Sequence, residues 1–389
     1  MIGVGVPEGS SRAPVSRASE RESWIALSLV PGIGPAGFAQ LVRRHGSAGA
    51  AWRAGPAGLS DIGAPAGRSA AAFAKLAATG PRDLARWIEH RTGASGGRVV
   101  TDLDESYPIA LRTLDPRPPV LYIVGDGAAV EERSVAIVGT RRASGYGMAT
   151  ADELAAELAG AGVTVVSGLA LGIDGAAHRA AIAARGRTVA VLPSPIDRVY
   201  PPRHRALARE MVRTGGALIT EIPIGSTIGR PDFARRNRLI AGLAEAVIVV
   251  EAPDRSGALL TAAAAIAIGR ELYAVPGPID AMVSRGCNRL IADNDAVMVT
   301  SPGSVLRHIG LARGARPPAV AALSEVEGQV LRKLLERPGS IEELVDRTSH
   351  PPASVASALT LLEARGLVNP FGGATFHPTL AAKRLAGLV

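Results

Sequence analysis

The stretch FARRNRLIAGLAEAVIVVEA, residues 233–252, runs a helical segment into an apolar strand and sets Arg235, Arg236 and Arg238 at the head of the helix. AVIVVEA has no polar alternation, so both faces of that strand are expected to be covered, as in a parallel sheet with helices on each side. The same text repeats outward from it. RVVT, SVAIVG (134–139), VTVVSG (163–168), TVAVLP (188–193), GALITE (216–221) and ELYAVPG (271–277) are apolar runs, most of them followed by Ala-rich helical segments. Repeated βαβ units predict an α/β fold, a Rossmann-like, doubly wound, mostly parallel sheet over residues 97–312.

The flanks read differently. From Trp24 to about Trp87 the chain is Ala-rich and helical, broken by PGIGP (31–35) and DIGAP (61–65). This predicts a small helical domain over 21–92 of the helix-hairpin-helix or SAM-like kind, where backbone N–H groups at a Gly turn can hold a phosphate. Residues 1–20, rich in Gly, Ser and Pro, are expected to be a disordered tail. RGARPPA (313–319) reads as a linker. Over 320–389, three helical segments precede LVNP and ATFHP around Gly372-Gly373, the pattern of a C-terminal winged helix. Its seven basic residues face seven acidic ones, and its candidate recognition helix, PPASVASALTLLEARG, carries almost no phosphate-binding charge. Protein contact is at least as open to that domain as DNA contact.

At 389 residues the chain exceeds one ordinary domain. A net charge of +8 and a pI near 10.3 favour a polyanionic partner, nucleic acid before anionic membrane. Lys75, Lys333 and Lys383 are the only lysines. A GC-rich genome gives the same arginine bias, so placement has to decide what the charge is for. The single cysteine, Cys287, excludes internal disulfides and a multi-cysteine zinc site. The N-terminal text lacks the apolar core of a signal peptide, and ALLTAAAAIAIG (258–269) is too short to span a bilayer. A cytoplasmic protein without a membrane partner is expected.

Ligands of open α/β sheets sit at the carboxyl ends of the strands. GTRRASGYG (139–147) leaves a strand and opens a helix. Its glycines allow close backbone approach, the helix N-terminus favours an anion, and Arg141 and Arg142 put guanidinium forks where a phosphate would lie. It matches neither the Walker pattern nor the dinucleotide fingerprint, which speaks against ATP hydrolysis and NAD chemistry. SGLALGIDGAAH (167–178) places Asp174 as a helix N-cap with His178 one turn later. Ser167, Asp174 and His178 lack the Gly-x-Ser-x-Gly elbow of a hydrolase. SPIDRVYPPRHRALARE (194–210) brings Arg198, Tyr200, Arg203, His204 and Arg205 to the rim, and arginine beside an aromatic suits a single strand. In the opening stretch Phe233 offers a stacking face. Its arginines cannot all point one way, so at least one is expected to pair internally with an acid such as Glu221 or Glu251. With no metal-ligand cluster among these loops, neither a metal nor a cofactor is expected. About five or six phosphate contacts would give salt-sensitive binding with little sequence preference.

Read together, YPIALRTLDPRPPVLYIVG (107–125), VAIVGTRRASGYG (135–147), VVSGLALGIDGAAH (165–178), DRVYP (197–201), FARRNRLIAGL (233–243), VVEAPDRSGALLTAAAA (249–265) and AVPG (274–277) resemble the DprA/Smf family of bacterial DNA-processing proteins. The resemblance covers most of 100–300. It implies a Rossmann-like domain that binds single-stranded DNA with no enzymatic reaction, dimerises through that domain, protects incoming DNA and loads the RecA recombinase during natural transformation. The strand-binding positions it implies are Gly139, Thr140, Arg141, Ser144, Gly168, Gly172, Asp174, Phe233, Arg235, Asn237, Arg238, Ser256 and Gly257, with Arg203 standing in for a basic residue after Tyr-Pro. Two departures bear on that track. Pro193, Ser194 and Pro195 replace a Gly-rich turn and remove N–H donors, and Asn294 and Asp295 replace a Gly-Ala pair, which sets a carboxylate near the presumed rim.

Two other readings compete with a DNA binder. A nucleoside-monophosphate phosphoribohydrolase would pair Glu221 or Glu251 with Arg238, but VPGPIDA (275–281) does not supply that family's Pro-Gly-Gly-x-Gly-Thr motif. An interaction scaffold would use the charge for an acidic protein.

Overall fold

The computed structural model describes residues 17–59, 66–127, 129, 133–311, 323–365, 367–371, 375–379 and 382. Contacts divide the chain into two units. One holds the N-terminal residues through Tyr107 with Leu114–Ile123 and Glu221–Gly225, and the other holds the rest.

The first unit is built on five helices, α1 (Arg17–Ser28), α2 (Pro35–His45), α3 (Ala48–Leu59), α4 (Ala66–Thr79) and α5 (Pro81–Ala94). Helix α1 begins inside the stretch expected to be a disordered tail, and the rest of that tail, like the linker at 313–319, lies outside the described residues. Between α1 and α2, Gly32 adopts φ 90 and a Cβ there would overlap the Ser69 hydroxyl, so this turn requires glycine. Pro35 opens α2, and Gly46 closes it in the left-handed conformation with its N–H on Val42 O. Phe38, Leu41, Trp52, Phe73 and Leu84 form the core.

By contacts, strand β1 (Gly97–Thr101) and most of β2 (Val120–Gly125) fall in this unit. The reason is visible in α1. Arg21 donates to Asp104 at 2.9 Å and to Val99 O at 3.1 Å, and the Trp24 indole donates to Pro119 O at 2.8 Å.

The second unit continues as β3 (Ser134–Val138), α6 (Gly145–Gly160), β4 (Thr164–Ser167), α7 (Ile173–Ala183), β5 (Thr188–Val191), α8 (Arg205–Arg213), β6 (Ala217–Thr220), α9 (Arg230–Leu243), β7 (Ala246–Val249), α10 (Gly257–Ala267), β8 (Glu271–Ala274), α11 (Arg285–Ala292), β9 (Val297–Met298) and α12 (Pro302–His308). Its strands run in the order β6-β5-β4-β3-β7-β8-β9. Every pairing among them is parallel.

Both faces are covered, as the unalternating strands predict. Val135, Ile137, Val165 and Ile248 share a core with Leu154 and Leu158 of α6 and Ile173 and Ala177 of α7. The period of two leaves Ala136, Val138, Val247 and Val249 on the opposite face, where α9 and α10 pack against β3 and β7. From β3 the chain winds outward through β4, β5 and β6, then crosses back to β7 on the other side of β3. The topological switch point therefore lies between β3 and β7, and a ligand is expected at their carboxyl ends.

The C-terminal segment has α13 (Glu325–Glu336), β10 (Gly339–Ser340), α14 (Ile341–Thr348), α15 (Pro352–Ala364), β11 (Val368–Phe371) and β12 (Thr375–Pro378), with an antiparallel sheet in the order β10-β12-β11. Ser324 with Glu327, and Ser340 with Glu343, form capping boxes at α13 and α14. This is the winged helix expected from the sequence.

Candidate nucleic-acid interface

The loop leaving β3 is held from two sides. Thr140 N–H donates to Glu251 O at 2.7 Å, and Ile173 N–H donates to Thr140 O at 3.3 Å. Gly139 lies so close to Ile173 and the Glu251 carbonyl that no Cβ fits, and Gly172, at φ 77, is pressed against Thr140 O. These two glycines let the β3 and β4 loops meet, a packing role. Thr140 Oγ1 accepts the Arg142 N–H at 3.2 Å, and the Arg141 and Arg142 side chains are left exposed.

The helix N-terminus behind those arginines is not free for a phosphate, contrary to the expectation for GTRRASGYG. The buried Glu251 carboxylate accepts Ser144 N–H at 2.9 Å and Ser144 Oγ–H at 2.5 Å, and Ser144 Oγ in turn accepts Gly147 N–H. Glu251 thus supplies the anion that the start of α6 favours. Gly147 has no side chain because one would overlap that carboxylate.

Asp174 is not the N-cap of α7. Gly172 holds that place, and Asp174 Oδ2 accepts the N–H groups of Gly168 at 3.1 Å and Ala170 at 3.3 Å, shaping the loop after β4. Burial pushes its carboxyl up, opposed by the Arg236 charge.

The arginines of the opening stretch part company. Arg236 is only 6% exposed, and its Nη1 donates to Gly168 O and Val191 O, each at 2.5 Å, at the ends of β4 and β5. Burial lowers its pKa to about 10, with Asp174 opposing, so it stays charged at neutral pH. Gly168 is glycine because a methyl there would overlap this guanidinium. Asn237 accepts from Arg236 Nε at 3.1 Å and donates to Gly257 O at 3.0 Å, tying α9 to the start of α10. Arg235 pairs with Asp232 at 2.9 Å, so the internal acid is Asp232, while Glu251 is engaged with Ser144. Arg238 is half-buried.

What faces outward is a line of three side chains from three segments. The Arg141 guanidinium lies 5.3 Å from the Phe233 ring centroid, and Phe233 meets Tyr200 edge-on at 5.4 Å. Arg141 and Phe233 border a cleft of about 490 Å³ at the switch point, lined in part by Gly139, Thr140, Asp174, Asn237, Ser256 and Gly257. Arg141, Arg142, Arg230 and Arg255, with the buried Arg236, supply charge to its walls. A recess of about 40 Å³ beside it is bounded by Gly168, Leu171, Pro193, Tyr200 and Phe233.

Gly139, Thr140, Arg141, Arg142, Asp174, Phe233, Asn237, Ser256 and Gly257 therefore come together, and Gly168 lines the recess. Ser144, Gly172, Arg203, Arg235 and Arg238 are not on the walls of either, and Arg203 is exposed on a 3-10 turn at Pro202–His204. Asp295 lines neither, and Asn294 beside it turns the chain at φ 58. Ser256 caps α10 through Ala258 N–H at 3.3 Å. Arg230 and Arg255 escaped the sequence reading, although Arg255 adjoins Ser256 in the quoted APDRSG. Pro193, Ser194 and Pro195 are buried, and the Ser194 hydroxyl has no partner among the described residues. Ser167 Oγ–H donates to Ile137 O at 2.6 Å and His178 Nδ1 sits 2.6 Å from Thr188 Oγ1, so the tempting triad has other engagements. Among the described residues no group of three His, Cys, Asp or Glu could hold a metal ion, and no helix is long and apolar enough to cross a membrane.

Residues 98–310 match the family described as DNA recombination-mediator protein A, residues 18–76 a DprA-like N-terminal HHH domain, and residues 314–374 a DprA winged helix domain. Protein Smf of Synechocystis sp. is 31% identical over 403 residues, spanning 92% of this chain and 99% of that protein. The solved DNA processing protein A of Streptococcus pneumoniae superposes with a TM-score of 0.59 at 28% identity, covering 75% of this chain and 98% of that one. DNA processing protein A of Helicobacter pylori, whose structure concerns its mode of binding single-stranded DNA, gives 0.50 at 27% identity over 55% of this chain and 95% of its own. With the sheet, the helical N-terminal module and the winged helix all accounted for, the chain belongs to the DNA recombination-mediator protein A family, DprA/Smf.

Proposed function

We propose that this chain binds single-stranded DNA along the cleft at the switch point, by phosphate contacts from Arg141, Arg142, Arg230 and Arg255 and by base stacking on Phe233 and Tyr200. The observation that carries the reading is the Arg141–Phe233–Tyr200 line, an exposed cation and two aromatic rings delivered to one rim by β3, α9 and the loop after β5. Bases offer a π-face whatever their identity, and phosphates meet guanidinium forks, so this combination suits a flexible strand without sequence preference. The single-strand binding of the Helicobacter pylori relative points the same way.

Binding without catalysis is part of the proposal. It is supported by the engagement of the two buried carboxylates near the cleft, Asp174 with backbone amides and Glu251 with Ser144. Family membership supports the remaining roles: pairing of two copies through the sheet domain, protection of incoming DNA, and loading of RecA in the cytoplasm during transformation. A titration with oligo-dT and with duplex at two salt concentrations tests the core of it. Four neutralised phosphates give log K a slope of about −3 against log salt on a single strand. A slope near zero, or release of free base from nucleoside monophosphates, would overturn the reading.

A further inference from the structure

Helix α5 has an outer face that the cleft does not use. Its buried side is Leu84, Ala85, Ile88 and Thr92. Turning 100° per residue, the opposite side presents Arg82, Arg86 and His90 in one stripe and Asp83, Trp87 and Arg91 in the next, all of them exposed. Three arginines and a histidine thus stand beside two carboxylates of the same helix, Asp83 in the first turn and the half-buried Glu89, which is already taken by Arg21 at 2.5 Å. Arg82 reaches Glu22 only at 3.9 Å, and Arg86 and His90 have no hydrogen-bond or ion-pair partner among the described residues.

Trp87 is the centre of this face. It remains 46% exposed although the Arg91 guanidinium sits 5.2 Å from its ring centroid. The other two tryptophans are internal by comparison. Trp24 packs on Phe38 with its indole N–H on Pro119 O, and Trp52 is buried against Phe73. An amphipathic helix that keeps its core side apolar has no packing reason to expose a large indole among guanidinium groups.

We infer that this α5 face is a second single-stranded nucleic-acid contact, with a base stacked on Trp87 and phosphates on Arg82, Arg86 and Arg91. Charge complementarity selects a polyanion. The interleaved indole selects one that carries flat rings, and this distinguishes a nucleic-acid strand from an acidic peptide. From Arg82 to Arg91 the helix rises about 13 Å, so the contact is short and adds to other binding rather than replacing it. It uses a different helix from those flanking the Gly32 turn, where a helix-hairpin-helix would hold its phosphate.

Because Trp87 is the tryptophan presented to solvent, the full-length protein carries its own reporter. Oligo-dT is expected to quench its emission both in the parent and in Arg141→Ala. Trp87→Ala should remove the quenching and weaken affinity about five-fold, with Trp87→Phe restoring most of it, the size of one base on an aromatic at an exposed site. The Arg86→Ala/Arg91→Ala pair should lower the salt slope by about 1.4. Unchanged emission at saturating oligo-dT overturns the inference, and so does quenching by poly-glutamate equal to that by oligo-dT. Failure of the cleft reading would instead show as full affinity in Arg141→Ala, so the two ideas fail separately.

Discussion

Arg141-Arg142 and Arg235-Arg236-Arg238 look alike on paper, two clusters of guanidinium at the carboxyl end of one sheet. Folded, they are opposites. The first pair is exposed on a loop held from behind by Glu251 and Ile173. In the second, Arg236 is sunk between the ends of β4 and β5, and Arg235 is partnered by Asp232. Density of charge along a chain says nothing about its availability. What decides is whether the backbone beside it has carbonyls left to satisfy, and the last turns of β4 and β5 do.

The contrast can be broken by experiment. Arg236→Ala should have the largest effect, because it leaves Gly168 O, Val191 O and Asp174 without their cation. Chemical denaturation should show a loss of about 3–5 kcal/mol, the usual cost of removing one member of a buried charge network. If the variant is as stable as the parent and simply binds DNA less well, Arg236 belongs with the rim.

His178 tests the same interior by pH. Thr188 Oγ–H is given to Val165 O, so Oγ1 accepts from His178 Nδ1–H, and the neutral ring is buried. Burial first, then the charges of His204, Arg179 and Arg236, pushes its pKa down from 6.5 to about 3. Between those values the unfolded chain binds the proton and the folded chain does not. Stability should therefore fall as pH drops through that window, by up to about 1.4 kcal/mol per pH unit, and His178→Asn should flatten the acid limb. An equally steep limb in the variant assigns the effect elsewhere.

Effects on the rim should be confined to binding. Arg141→Ala and Phe233→Ala are each expected to weaken oligo-dT binding about ten-fold with an unchanged melting temperature, in line with roughly 1–3 kcal/mol for a base on an aromatic. Arg141→Ala alone should also reduce the salt slope by about 0.7. The smallest effect belongs to Arg235→Ala. A half-exposed ion pair one turn apart on a helix contributes about 0.3–0.5 kcal/mol, and affinity should move less than in Arg141→Ala. A ten-fold loss there would show that Asp232 releases Arg235 to the strand.

Much of this architecture was legible because its signals are local. Apolar runs without alternation gave the starts of β3 through β8 to within one residue and ran one to three residues past their ends, and the Ser324 and Ser340 capping boxes stand at the starts of the first two C-terminal helices. What escaped depends on distant pairs. Glu251 and Ser144 are 107 residues apart, and nothing in either neighbourhood announces that one caps the other's helix. Arg236 reaches back 68 residues to Gly168, so the sequence could say that one arginine of the stretch turns inward but not which one, nor that its partners are strand-end carbonyls. Asp174 passed for a helix cap because its sequence position fits, whereas its oxygen turns to the loop before the helix. The glycine-rich motifs stand at the strand ends as expected, and packing accounts for four of their glycines: Gly139, Gly147, Gly168 and Gly172 make room for Ile173, Glu251, Arg236 and Thr140.

The position of Glu251 has a consequence for ligand size. In a sheet of this topology the deepest seat for a lone phosphoryl group is the first turn of the helix after the central strand, and here a resident carboxylate already sits in it. A dissolved mononucleotide would have to evict that acid to gain its best hold, against repulsion between two anions. A polymer needs no such seat, and on the proposed reading it would spread weaker grips over the outward-facing guanidinium groups, so a mononucleotide is expected to compete poorly with oligo-dT.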